Sequence, residues 1–206
     1  MGNIDHLIHR IAPLVEPVHD AFGRARLYVD KLGVPNTDEK RWLRTSLFRS
    51  DVFDYLAAHA VADWSLDHRS HHLNGTVHLA HTHGDLKLRI LREAPIRGGV
   101  PCAGVSGRRQ AYYRNRPYGQ LGLWGAPKDA DHNLLLLWNE LAEDVSLRLV
   151  HPIGVGTALR GVPIDLSADL PRHRAEFENR RFDVLDEDLD DTVSYDDEEG
   201  GSGGSA

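Results

Sequence analysis

At 206 residues the chain is sized for one ordinary domain, and 41% of it is hydrophobic, enough for a packed core. No apolar run reaches the ~18 residues that a membrane helix needs, and the lone cysteine, Cys102, excludes an internal disulfide or a cysteine-based zinc cage. The formal charge of −7 is uneven: ten of the 31 acids fall between Asp183 and Glu199, which leaves residues 1–182 with 24 basic and 21 acidic side chains, a balance of +3.

Ile4, Leu7, Ile8 and Ile11 open the chain at helical spacing. Pro13 and Pro17 interrupt that pattern, and Pro17 suits the first position of a second helix with the apolar stripe Val18, Phe22, Ala25, Val29 and Leu32. Gly33 is placed to end it in a left-handed conformation, and Pro35 prevents continuation. Thr37 reads as the N-cap of a third helix, with Asp38 and Glu39 where the helix dipole favours acids. That helix carries Trp42, Leu43, Leu47, Phe53, Leu56 and Ala60, with a break expected near Ser50-Asp51. The helical layer thus spans about 1–62. His68, His71 and His72 follow in a stretch that reads as a solvated loop.

From Thr76 the period changes to two. Val77, Leu79, Leu86, Leu88 and Ile90 fall on one side of a hairpin, with Thr76, Thr82, Lys87 and Arg89 mostly on the other. A two-residue turn at Gly84-Asp85 would set His83 opposite Leu86, His81 opposite Leu88 and Leu79 opposite Ile90. A long Gly/Pro/Arg segment intervenes before strand patterns return in QLGLW (120–124), NLLLLWNE (133–140) and VSLRLV (145–150), the last two joined by the short link LAED. Leu170 to Phe182 reads as a short charged helix with Pro171 at its first position. Acids then dominate up to GGSGGSA, a terminus of linker composition. Helices first and strands afterwards predict an α+β fold, with N-terminal helices packed on an antiparallel β-meander. The expected layout is one domain over 1–182, its sheet at about 75–166 and its short helix at about 170–182, followed by a disordered acidic Gly/Ser tail over 183–206.

Two stretches carry candidate chemistry. In His81-Thr82-His83-Gly84-Asp85, two imidazoles and a carboxylate stand at the spacing of metal ligands. The pentapeptide resembles the HxHxDH signature of metallo-β-lactamase-like hydrolases over five residues, and departs from it at Leu86, where that family has a final histidine. The resemblance implies Zn²⁺ held by His81, His83 and Asp85, with a metal-bound hydroxide as nucleophile. His132 and His151 are the other histidines able to complete such a site. The hairpin reading accounts for more residues, and makes His81 and His83 half-buried, hydrogen-bonded imidazoles that need no cofactor.

The second stretch interleaves Arg108, Arg109, Arg114 and Arg116 with Tyr112, Tyr113 and Tyr118, and Trp124 follows. It falls short of a phosphate loop, because Val105 stands where the lysine should be, and Ser106 lacks a nucleophile elbow. Guanidinium groups neutralise phosphates and aromatic rings stack on bases, so the composition suits nucleic acid; Arg, Tyr and Trp equally suit a protein interface. The sequence therefore predicts a non-enzymatic binding or regulatory module, cytoplasmic and free of membrane, that contacts nucleic acid or a regulatory protein through Gly107 to Tyr118. In that reading the four arginines neutralise phosphates while Tyr112 and Tyr113 stack. The alternative is a metal-dependent hydrolase built on the HxHxD cluster.

Overall fold

Amphipathic periodicity carries the first sixty residues into one helical layer. The computed structural model describes residues 2–96, 98–117, 132–157, 159–179 and 183–184. Helix α1 (Gly2–Ile11) passes through a 3₁₀ turn, Ala12–Leu14, into α2 (Val15–Lys31). Pro13 sits in the 3₁₀ turn and Pro17 in the first turn of α2, where a missing N–H costs no intrahelical bond. Gly33 ends the pair at φ +67° as expected. Thr37 does precede a 3₁₀ turn, Asp38–Lys40, with an extended backbone, but its side chain caps nothing. Helix α3 (Arg41–Ala58) then runs unbroken through Ser50-Asp51. The expected break is absent because Asp51 is buried against α2, where its carboxylate lies 3.5 Å from Arg24.

Among the described residues, seven strands follow in simple sequential order: β1 (Trp64–Leu66), β2 (Val77–His81), β3 (Leu86–Arg92), β4 (His132–Glu140), β5 (Val145–Pro152), β6 (Ile164–Asp169) and β7 (Asp183–Val184). Helix α4 (His68–Asn74) links β1 to β2, α5 (Gly107–Tyr113) lies between β3 and β4, and α6 (Arg174–Glu178) precedes β7. The fold is α+β, N-terminal helices on a mostly antiparallel sheet.

Four details depart from expectation. First, β3 and β4 are parallel, with Leu88 opposite Leu134, so the meander is interrupted by one crossover. The segment 93–131 must return to the starting end of the sheet, which a parallel pair always requires. Secondly, the β2–β3 register sets Leu79 opposite Leu88 and Val77 opposite Ile90, two residues from the two-residue-turn pairing. The connection is therefore 82–85, with Gly84 at φ +77°. A slip of two preserves the pleat, so all five apolar residues still face one core. Thirdly, the charged helix shrinks to α6, because Leu170 N–H still bonds the Leu147 carbonyl at 2.8 Å and prolongs the β5–β6 ladder. Finally, Asp183–Val184 pairs with β6 instead of opening the tail. The predicted strand at 120–124 and the tail over 185–206 lie outside the described residues.

The sheet is buried on both faces. On one face α1, α2 and α3 cover Val77, Leu79, Leu88, Ile90, Leu134, Leu136 and Trp138, with Phe48 stacked on Trp138 at 4.8 Å. On the other, Val100, Ala103 and Tyr113 cover Leu135, Leu137 and Val150. The four consecutive leucines of β4 reach both cores in alternation, as a strand buried on two sides must.

Candidate functional site

The histidine cluster folds into a structural corner. His81 ends β2 and is 6% exposed, whereas His83 lies exposed in the following loop with its ring 5.2 Å away. Arg10, from the last turn of α1, occupies the space that a cation would need. Its guanidinium donates to both carboxylate oxygens of Asp85, one bond measuring 2.7 Å, and to His81 Nδ1 at 2.8 Å. A nitrogen that accepts this bond has already committed its lone pair. Trp64 completes the corner, donating its indole N–H to the Arg10 carbonyl at 3.0 Å and setting its ring edge-on to His81. Burial, and next the Arg10 charge, push the His81 pKa down; the bonds from Arg10 hold Asp85 at about 2.

His132 and His151 are brought together 5.4 Å apart, and His151 Nδ1 hydrogen-bonds Asp165 Oδ1 at 2.6 Å. Among the described residues, no three of His, Cys, Asp and Glu are gathered as a metal-binding group. The upstream histidines are not a solvated loop: they lie in α4, where His71 stacks on Phe53 at 3.7 Å and His68 meets the same ring edge-on.

The arginine–tyrosine segment is not structureless. Its centre forms the seven-residue helix α5, which sits on the second face of the sheet and points its two tyrosines inward. Tyr113 is 0% exposed and donates its hydroxyl to the Pro101 carbonyl at 2.8 Å. The Tyr112 hydroxyl lies between the carbonyls of Lys87 (3.2 Å) and Leu134 (2.9 Å), spanning the parallel β3–β4 pair. Burial drives both phenols above their ordinary pKa, Tyr113 to about 12. These rings hold α5 to the sheet: Tyr113 is fully enclosed, and Tyr112 is half-buried with its hydroxyl turned to the strands. Asn115 adds a further anchor that its neighbours in sequence did not advertise, donating to the Asn133 and Pro152 carbonyls at 2.9 and 2.7 Å. Tyr118 and Trp124 lie outside the described residues.

With the aromatic side fastened down, the arginines are left outside. Arg108, Arg109, Arg114 and Arg116 are all exposed, and none has an ion-pair partner among the described residues. Among the described residues, only Arg114 has a side-chain partner, Gln110 Oε1 at 3.4 Å. Arg108 and Arg109 also occupy the first turn of α5, where the dipole disfavours cations and no acid compensates. Helix stability therefore does not account for their placement. Two further cations were not singled out from the sequence: Arg89 on β3, buried beneath α5, and Arg49 on α3, half-buried. Arg89 reads as an outward strand position, and only the two-sided burial of β4 hints that the outward side is covered.

No family model, curated protein or solved structure matches the chain.

Proposed function

We propose that the protein is a non-enzymatic binding module that engages nucleic acid through the arginine face of α5 and the residues just after it. The observation that carries this reading is the set of four exposed arginines, Arg108, Arg109, Arg114 and Arg116, held on an anchored scaffold without a counter-ion among the described residues. Arginine forks match phosphate geometry, and a rigid support lowers the entropic cost of presenting them. The tyrosines contribute by fixing the platform, not by stacking. The overall charge of −7 does not oppose this, because ten acids are concentrated at 183–199 and screening limits their reach to ~10 Å at 0.1 M salt.

The test is fluorescence anisotropy with labelled single-stranded DNA, RNA and duplex DNA across a salt series. Binding should weaken as salt rises, and each arginine replaced by alanine should reduce the slope of log K against log salt by roughly 1. Absence of binding to all three polymers at ~50 mM salt removes the nucleic-acid reading. A protein partner captured at high salt, with no such binding, would assign the face to a protein interface instead.

A further inference from the structure

Most buried and half-buried arginines among the described residues are paired. Arg44 bonds Glu140 and Asp30, Arg10 bonds Asp85, Arg148 bonds Glu93, and Arg92 bonds Thr45 and Asn36 with Glu140 nearby. Arg89 breaks this pattern. It is 8% exposed on the second face of the sheet, yet no carboxylate, carbonyl or aromatic ring among the described residues receives its guanidinium. Its Nε is fully buried and lacks a hydrogen-bond partner. A long arginine often buries its stem and keeps its head in water, but that account leaves the buried Nε unexplained.

Two arginine charges and no carboxylate act on it. Directly across the strand pair stands His78, whose ring meets Tyr112 edge-on at 5.9 Å. Above it lies α5, whose exposed Arg109 extends along Gly104. The charge of Arg49, a half-buried residue of α3 whose own Nε is unpartnered, also reaches Arg89 weakly. Burial first, and then the Arg109 charge, hold the Arg89 pKa below its ordinary value; Tyr113 and Tyr112 oppose this in part, and no carboxylate does. Such an arrangement is costly for the folded protein unless something negative enters.

We propose that Arg89 and Arg109 form an oxyanion-binding subsite at the edge of α5, with Arg89 as the buried fork and Arg109 as the exposed one. His78 borders it. The ligand chemistry is a phosphate or carboxylate group that can accept from two guanidinium forks at once. If the partner is a polynucleotide, as the preceding reading holds, one backbone phosphate occupies this subsite and fixes register while the other arginines supply non-specific attraction.

Inorganic phosphate, acetate and a single-stranded oligonucleotide are the probes, each compared with chloride at matched ionic strength. Phosphate should raise the melting temperature of the full chain more than chloride does, and titration calorimetry should give a saturable isotherm. Arg89→Met keeps the stem and removes the unpaired charge. It should lower phosphate affinity by about tenfold to a hundredfold, the loss expected for one charge-assisted contact, and raise the melting temperature without phosphate. Unchanged phosphate affinity in Arg89→Met overturns the subsite, as does a lowered melting temperature in that variant, which would reveal a structural partner. Arg109→Gln is exposed and leaves both cores intact; full phosphate affinity there overturns the proposal independently. Stronger stabilisation by acetate than by phosphate would assign the subsite to carboxylates. If Arg89→Met abolishes phosphate binding while the unmodified protein ignores the oligonucleotide, the subsite stands and the nucleic-acid reading fails. If both proteins bind the oligonucleotide equally, the reverse holds.

Discussion

Arg10 and Asp85 tie the end of the first helix to the loop between β2 and β3. The guanidinium grips both carboxylate oxygens while bonding His81 and receiving Trp64 at its backbone. Asp85 is held at about 2 chiefly by these bonds, so its folded pKa is depressed and its contribution to stability exists above the unfolded value near 4. That contribution is lost as pH falls from about 4 toward 2. Asp85→Asn should cost about 1–2 kcal/mol at neutral pH and remove acid sensitivity in this window, as read by urea denaturation at a series of pH values. Equal acid sensitivity in the variant would show that the clamp contributes nothing.

Arg44 and Glu140 form the most deeply buried ion pair described here, with side-chain exposures of 5% and 4%. The arginine also reaches Asp30 and the Val34 carbonyl, so α2, α3 and β4 meet at one guanidinium. Glu140→Gln leaves a buried charge undercompensated and should cost about 3–5 kcal/mol. The double replacement Arg44→Met with Glu140→Leu should recover most of that loss. A double-mutant cycle by chemical denaturation checks both numbers.

His78 has its pKa pushed down to about 4 by burial, with Arg89 adding to the effect. Between about 4 and the ordinary 6.5 the folded state therefore binds fewer protons here than the unfolded state does. Stability is present above 6.5 and falls as pH drops through this window, by at most about 1.4 kcal/mol per pH unit for one group. His19, His71, His81 and His132 are shifted downward too, and steepen the fall. His78→Phe should remove one proton's share of the slope, measured from denaturation midpoints between pH 4 and 7. An unaltered slope would exclude His78 as a contributor.

Tyr112 and Tyr113 separate scaffold from contact surface. Tyr113→Phe orphans the Pro101 carbonyl and should cost about 1 kcal/mol, and Tyr112→Phe a similar amount. Neither should change oligonucleotide affinity, because both hydroxyls are committed to backbone carbonyls of the scaffold. A stacking role predicts the opposite for replacement by alanine, a loss of about 1–3 kcal/mol in binding per base. Comparing anisotropy with thermal melting for each variant resolves the two.

The helices and the apolar face of the first hairpin were legible because periodicity records which side is buried. Val77, Leu79, Leu86, Leu88 and Ile90 reached the expected core even though their pairing differs by two residues, since an even slip leaves the pleat unchanged. The parallel β3–β4 pair was not legible: pairing direction depends on the path of the intervening chain, which local pattern does not encode. In the candidate site, the exposed arginines were readable from composition. The inward turn of Tyr112 and Tyr113 was not, because an amphipathic helix of seven residues is too short to show a clear period. Arg10 and Arg89 escaped for another reason. One acquires its role from a partner 75 positions away, the other from a layer laid over its strand much later.

That later layer has a consequence for synthesis. Leu88 and Leu134 lie side by side in the sheet, but the ribosome delivers them separated by the whole 93–131 segment. Until residues 132–140 emerge, the edge of β3 that pairs with β4 presents bare amides and carbonyls. Such an edge invites pairing with another chain. Translational pausing before residue 140 should therefore favour aggregation, and a chaperone acting during synthesis would find its main task at that strand.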